Sequence, residues 1–196
     1  GEEIKENNSK GKLCIKYPWP SMARTIYGDH QRYINTYFSS FPGKYFSGDG
    51  CYKNNDGLFR ITGRVDDVLI VSGHNLGTAE IESAIDEHEN VCESAIVGYP
   101  HKIKGNGVFA FVICHQMPNN DEIINAEIND LISQHVGPIA KVDKFLFVEG
   151  LPKTRSGKIM RRILRKIASG ETTNLGDTST LLDPTVVESI ILKSKK

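Results

Sequence analysis

Apolar and polar positions alternate over Lys12–Tyr17, Lys44–Tyr52 and Leu58–Gly63, the period of two expected of half-buried strands. Pro18 and Pro20 stop the first run, since proline cannot donate to a strand ladder. Asn54-Asn55-Asp56-Gly57 separates the other two and reads as a hairpin turn, because Asn and Gly tolerate positive φ. Asn7 to Gly11 reads as a turn or frayed end, and Asp29 as the N-cap of a helix through Phe38. From Val68 the pattern changes. Val68–Val71 is a short apolar strand, and Ile81, Ala84 and Ile85 share one face of a helix over Thr78–His88 that lacks a capping-box glutamate. Cys92–Gly98 and Val108–His115 predict strands, the second apolar enough to be central. Ile124, Ile128, Leu131 and Ile132 mark a helix over Glu122–His135; Lys144–Val148 follows as a strand and Ser156–Ala168 as a helix. After Gly170 the chain is polar and no regular structure is assigned.

The order β-α-β-β-α-β-α from Val68 suits an α/β sandwich of roughly 100 residues, a usual domain size. Residues 1–66 have too few apolar elements for a core of their own and read as the β-rich end of something larger. The predicted organisation is therefore 1–66, then a domain over 67–170, then a polar tail over 171–196. The 196 residues carry 39% hydrophobic and 24% charged side chains, ordinary values for a globular chain. A formal net charge of zero offers no bulk attraction to nucleic acid or anionic membrane, although Lys153–Lys166 is basic and Glu80–Glu93 acidic. Cys14, Cys51, Cys92 and Cys114 are too scattered for a metal or disulfide framework and fit a reducing compartment. No apolar run reaches membrane-spanning length and no signal peptide is visible. The start lacks Met, so a fragment or processed form is expected.

Four stretches carry candidate chemistry. In Pro152-Lys153-Thr154-Arg155-Ser156-Gly157-Lys158, a lysine sits on a Gly-containing loop entering a helix, where exposed N–H groups would reinforce an anion site. The P-loop pattern fails, because Pro152 stands where its first glycine belongs and Ile159 follows the lysine. The competing reading is a basic amphipathic helix: Ile159, Ile163 and Ile167 form one stripe, with Arg161, Arg162, Arg165 and Lys166 elsewhere. Asp49, between Gly48 and Gly50, could accept from a ribose diol or be a plain turn aspartate. Arg64 at a strand end can fork onto two oxygens, and Asp66-Asp67 lies where β-structure stops, as a hinge would or as a solvated loop would. Gly105-Asn106-Gly107-Val108-Phe109-Ala110 matches a dinucleotide pattern but precedes a strand, so that reading is rejected.

Together, Ser47-Gly48-Asp49-Gly50, Ile61-Thr62-Gly63-Arg64-Val65-Asp66-Asp67, Ser72-Gly73-His74 and the Lys158 loop resemble the adenylate-forming enzymes. Gly77-Thr78-Ala79-Glu80-Ile81-Glu82-Ser83-Ala84, Lys158-Ile159-Met160-Arg161-Arg162 and Asn174-Leu175-Gly176-Asp177 resemble, more narrowly, the AMP-forming acetyl-CoA synthetases. The resemblance covers nearly all of the chain after Cys14. It implies a fold class of α+β / α/β: the end of the large adenylate-forming domain, then a small mobile domain with a short mixed sheet flanked by helices. It implies a ligase that uses ATP, Mg2+ and coenzyme A to turn acetate into acetyl-CoA through acetyl-adenylate, with this chain inactive alone.

By the same resemblance, Lys158 is catalytic and a target of lysine acetyltransferase and deacetylase. Asp49, Arg64 and Asn75 contact ATP or AMP; Ser72, Gly73 and Ser133 contact coenzyme A; Asp66 is the hinge. Relatives carry arginines where Asn75 and Ser133 stand here, and Lys141 or Gln134 are the candidates to compensate for the second. A cation site would fall on Asp86, His88 and the Val91 carbonyl. The expected location is cytoplasmic, with the nucleus also open, and neither nucleic acid nor membrane is an expected partner. Two alternatives stay open: a propionyl- or other short-chain acyl-CoA synthetase, and a non-catalytic module whose basic helix binds nucleic acid or an acidic partner.

Overall fold

Three alternating runs near the N-terminus pair edge to edge in the computed structural model, which describes residues 2–195. β1 (Ser9–Ile15), β2 (Tyr45–Lys53) and β3 (Phe59–Arg64) form an antiparallel sheet in that order. β1 starts and ends earlier than the alternation suggests. The β2–β3 turn forms as expected, with Gly57 at φ +80° and Asn54 Oδ1 accepting from Leu58 N at 2.8 Å. α1 (His30–Tyr37) is capped by Asp29, which accepts from Arg32 N at 2.9 Å. Tyr33 and Cys51 are the buried apolar side chains of this unit among the described residues, while Leu58, Phe59 and Ile61 lie exposed. Such sparse burial cannot offset the conformational entropy of a domain by itself. Contacts divide the chain into two compact units between Asp67 and Val68, just after a one-turn 3-10 segment over Val65–Asp67.

The second unit is a five-stranded mixed sheet with helices on both faces. β4 (Val68–Val71), β5 (His74–Gly77), β6 (Val91–His101), β7 (Gly105–Cys114) and β8 (Lys144–Phe147) are its strands. They run β5-β4-β7-β6, with β8 beside β7 as the one parallel pair. Alternation along β6 and β7 serves two cores. Ile96, Val108, Ala110 and Val112 face one side, against α2 (Thr78–Ile85) and α3 (Asp121–His135). Ala95, Val97, Tyr99, Phe109 and Phe111 face the other, against α4 (Arg161–Ala168) and α5 (Thr185–Ser194). A sheet covered twice is why β7 reads as an unbroken apolar run.

Several expectations are corrected. β5 is an additional strand, joined to β4 by the two-residue turn Ser72-Gly73, with both residues at positive φ. β6 runs on through Pro100 to His101. α2 ends at Ile85, short of His88. α4 begins at Arg161 rather than Ser156, because residues 153–159 close on themselves as a tight turn. The polar tail over 171–196 is corrected most: Val187 and Ile190 are buried on α5, and Val186 and Ile191 pack against the same core. Their spacing gives one turn-by-turn apolar face inside an otherwise polar segment.

Candidate functional site

In the first unit, strand register does the positioning. β2 and β3 place Asp49 opposite Arg64, whose guanidinium lies 3.7 Å from the Asp49 carboxylate. Arg64 donates from Nε to Asp66 Oδ1 at 2.9 Å and from Nη1 to the Ser47 carbonyl at 2.9 Å. The bond to Asp66, and then the surrounding carboxylates of Asp66, Asp49 and Asp67, raise the Arg64 pKa further and keep its charge permanent. Asp49, Arg64 and Asp66 are therefore one cluster, with Asp49 and Arg64 both partly open to solvent.

Gly48 is what lets the guanidinium lie there. A Cβ at this position would sit 2.6 Å from Arg64 Nη1, and the backbone holds φ at +84°. Gly48→Ala should cost on the order of 1–2 kcal/mol from the left-handed backbone alone and push Arg64 off the Ser47 carbonyl. A crystal structure of the variant, with its thermal unfolding, checks both effects; an unmoved Arg64 would contradict them.

In the second unit, Lys158 sits in a hairpin, not at a helix start. Thr154 N donates to the Lys158 carbonyl at 2.9 Å, Gly157 N to the Thr154 carbonyl at 2.8 Å, and Lys158 N to Thr154 Oγ1 at 3.2 Å. Gly157 adopts φ +83°, which closes the turn. Lys153 and Ile159 bridge across its base, and Lys153 Nζ pairs with Glu93 at 2.7 Å. The Lys158 side chain is exposed and makes no ion pair or hydrogen bond among the described residues. The exposed N–H groups of a helix start, expected beside it from the sequence, lie further on, because α4 begins at Arg161.

The cations of α4 are engaged. Arg161 forks onto Glu82 at 2.8 and 2.7 Å, Arg162 donates to the Leu175 carbonyl at 2.8 Å, and Lys166 pairs with Glu171 at 3.2 Å. Arg165 also has a partner. A helix whose cations hold its own chain offers little charge to nucleic acid or an acidic partner. Glu82 carries a second bond, from Ile96 N at 2.8 Å. Burial raises its pKa against the opposing pull of Arg161. Sequence reading misses this pair and the Lys153–Glu93 pair, since no local signal joins residues 79 and 60 positions apart.

The remaining candidates lie on separate elements of the second unit. Ser72 and Gly73 form the exposed β4–β5 turn, with Ser72 N bound to the Lys104 carbonyl at 3.1 Å and Asn75 exposed on β5. Ser133 Oγ donates to the Asn129 carbonyl at 2.6 Å, so its hydroxyl proton is engaged within α3. Gln134 is exposed, and Lys141 Nζ lies 4.0 Å from Asp130.

Asp86 and His88, two of the candidate cation ligands, are engaged with protein partners. Asp86 accepts from Ser94 Oγ at 2.7 Å and burial raises its pKa; His88 Nε2 lies 3.2 Å from Glu127, and His88 Nδ1 accepts from Asn90 N at 3.2 Å. Among the described residues no group of three His, Cys, Asp or Glu gathers for a metal.

Residues 80–158, within the small mixed sheet and lysine hairpin, match the AMP-binding enzyme C-terminal domain. Over its length the chain is similar to part of the acetyl-coenzyme A synthetases. It is 55% identical over 97% of its length to the acetyl-coenzyme A synthetase of Magnetococcus marinus and 56% identical over 96% to that of Halorhodospira halophila. It spans 30% and 29% of those proteins. Acetoacetyl-CoA synthetase from Streptomyces lividans shares the fold, with a TM-score of 0.76 over 97% of this chain and 29% of that one at 22% identity.

Proposed function

We propose that this chain is the C-terminal part of an acetate–CoA ligase that forms AMP. The observation that carries the reading is the Lys158 hairpin, a fixed loop presenting an exposed, unpaired ammonium in a chain akin to acetyl-coenzyme A synthetases. In the first half-reaction an acetate oxygen attacks the α-phosphate of ATP, and pyrophosphate leaves. The Lys158 ammonium neutralises charge shared by the acetate and phosphate oxygens as it builds. Asp49 accepts a hydrogen bond from a ribose hydroxyl, and Arg64 donates to the same diol through N–H groups not held by Asp66 and Ser47. In the second, the coenzyme A thiol attacks the acetyl carbonyl and AMP leaves. The Ser72-Gly73 turn then lines the path of the thiol arm, where the bare glycine backbone allows close passage.

Asp66 is the proposed pivot between the two half-reactions. Asn75 offers the nucleotide an amide where relatives have an arginine, and Ser133 offers coenzyme A only acceptor lone pairs. Mg2+ is expected to accompany ATP. Lys158, being exposed, is a feasible acetylation target for an acetyltransferase and deacetylase pair, and its neutralisation would silence the first half-reaction alone. No helix of the described residues is long and apolar enough to cross a membrane, and all four cysteines are free, which supports a cytoplasmic site of action.

The test is an assay of the full-length protein with acetate, propionate and butyrate, following AMP release and thioester formation. Acetate should have the highest kcat/KM; a preference for propionate would move the assignment to a neighbouring acyl-CoA synthetase. The 196-residue chain alone should show no acetate-dependent ATP–pyrophosphate exchange, and measurable turnover by it would overturn the proposed division of the site.

A further inference from the structure

The match to the AMP-binding enzyme C-terminal domain ends at Lys158, yet the hairpin that carries Lys158 is not complete there. A later segment closes it. Leu182 N donates to the Lys153 carbonyl at 2.8 Å, and Leu181 bridges Thr154 as a third strand beside the hairpin. The Leu181 side chain is 5% exposed and packs in the α4–α5 core, while Leu182 points outward at 65% exposure. Thr180 Oγ1 reaches Met160 Sδ at 4.0 Å, at the junction of hairpin and α4.

This segment is tied down on both sides. Upstream, Arg162 holds the Leu175 carbonyl, Lys166 holds the Asn174 carbonyl, and Gly176, at φ +75°, leaves room for the Arg162 guanidinium 2.9 Å from where a Cβ would be. Asp177 then accepts from Ser179 N at 2.9 Å. Downstream, Asp183 Oδ1 accepts from Thr185 N at 2.9 Å at the start of α5, and Val187 and Ile190 anchor that helix in the core. The basic face of α4 thus has a use: it grips a strap rather than an external anion.

We infer that residues 174–183 are a strap that sets the position of the Lys158 hairpin, and that Leu181 and Leu182 are positioning residues for the chemistry of Lys158. The inference rests on the role proposed above for Lys158. A loop held only at its own base would sample many lysine positions. One held along its Lys153–Thr154 arm by a second strand keeps the ammonium within the small range that charge stabilisation requires.

The test separates backbone from side chain. Leu182→Pro removes the N–H that bonds Lys153, and also fixes φ at 182 and restricts Leu181, whereas Leu182→Ala keeps the N–H and the backbone freedom. In the full-length protein, Leu182→Pro should speed tryptic cleavage after Lys153, Arg155 and Lys158 about fivefold, the effect of one hydrogen bond. Leu182→Ala should leave it unchanged. If the proline variant does not fold, Arg162→Met, which frees the upstream anchor, should raise cleavage at the same three sites.

In the full-length enzyme, Leu182→Pro should lower kcat for acetate-dependent ATP–pyrophosphate exchange about fivefold. Formation of acetyl-CoA from supplied acetyl-adenylate should not change. Unchanged cleavage with proline, equal cleavage with alanine, or equal loss of both half-reactions overturns the strap as a positioning device. If instead Lys158→Ala itself impairs both half-reactions equally, the proposed role of Lys158 fails, while the protease result still reports on the strap.

Discussion

Lys158→Ala in the full-length protein should lower acetate-dependent ATP–pyrophosphate exchange by about two to three orders of magnitude, the usual effect of removing one charge-stabilising donor from a transition state. Acetyl-CoA formation from supplied acetyl-adenylate should continue at near its normal rate. The expectation follows from the exposure and lack of partners of this side chain. Alanine leaves the backbone bonds that close the hairpin, from Thr154 N to the Lys158 carbonyl and from Lys158 N to Thr154 Oγ1, free to form. The fold is therefore unaffected, and the loss reports the missing ammonium. Lys158→Arg is no safe rescue, because a planar fork on a longer stem does not reproduce a compact point charge. Equal damage to both half-reactions would sink the role proposed here.

Glu82→Ala is the substitution expected to harm the fold most, by about 3–5 kcal/mol. It would leave the Arg161 guanidinium, already with its Nε buried and without a partner, facing no counter-charge, and it would strip Ile96 N of its acceptor. Glu82 and Arg161 side chains are only 11% and 23% exposed, so solvent cannot take over as it would at a surface pair. Replacing both partners, as in Glu82→Leu with Arg161→Met, should restore much of the loss, since no buried charge is then stranded. Denaturant midpoints of the single and double variants give the comparison. A single variant within about 1 kcal/mol of the parent, the range of exposed pairs, would show the pair to be solvent-screened.

Strands were legible where an apolar run is long, as in β6 and β7, because both faces of those strands are buried. β5 was not legible, since four residues with one buried leucine, Leu76, carry almost no period. The start of α4 was misread because the Ile159, Ile163, Ile167 stripe runs back into the hairpin. Ile159 is held there by its strand bridge to Lys153, not by helical bonds. α5 was hidden in a polar segment whose apolar face appears only when read at helical spacing. Of the site, Lys158 was legible as a loop cation, but the facing of Asp49 and Arg64 depends on a register shift between Gly50 and Cys51 that the turn residues do not announce. Which cations remain free was not legible: it depends on partners such as Glu82 and Glu93, brought close only by folding.

β6 pairs with β7 on one side only, so its other margin is an open strand edge of the kind that recruits foreign chains. That margin is plugged. The Glu82 carboxylate takes the outward N–H of Ile96, and Arg161 seals the carboxylate from behind. The pair thus occupies one outward position of that edge, so a variant lacking it should aggregate at a lower temperature than the parent in a light-scattering melt.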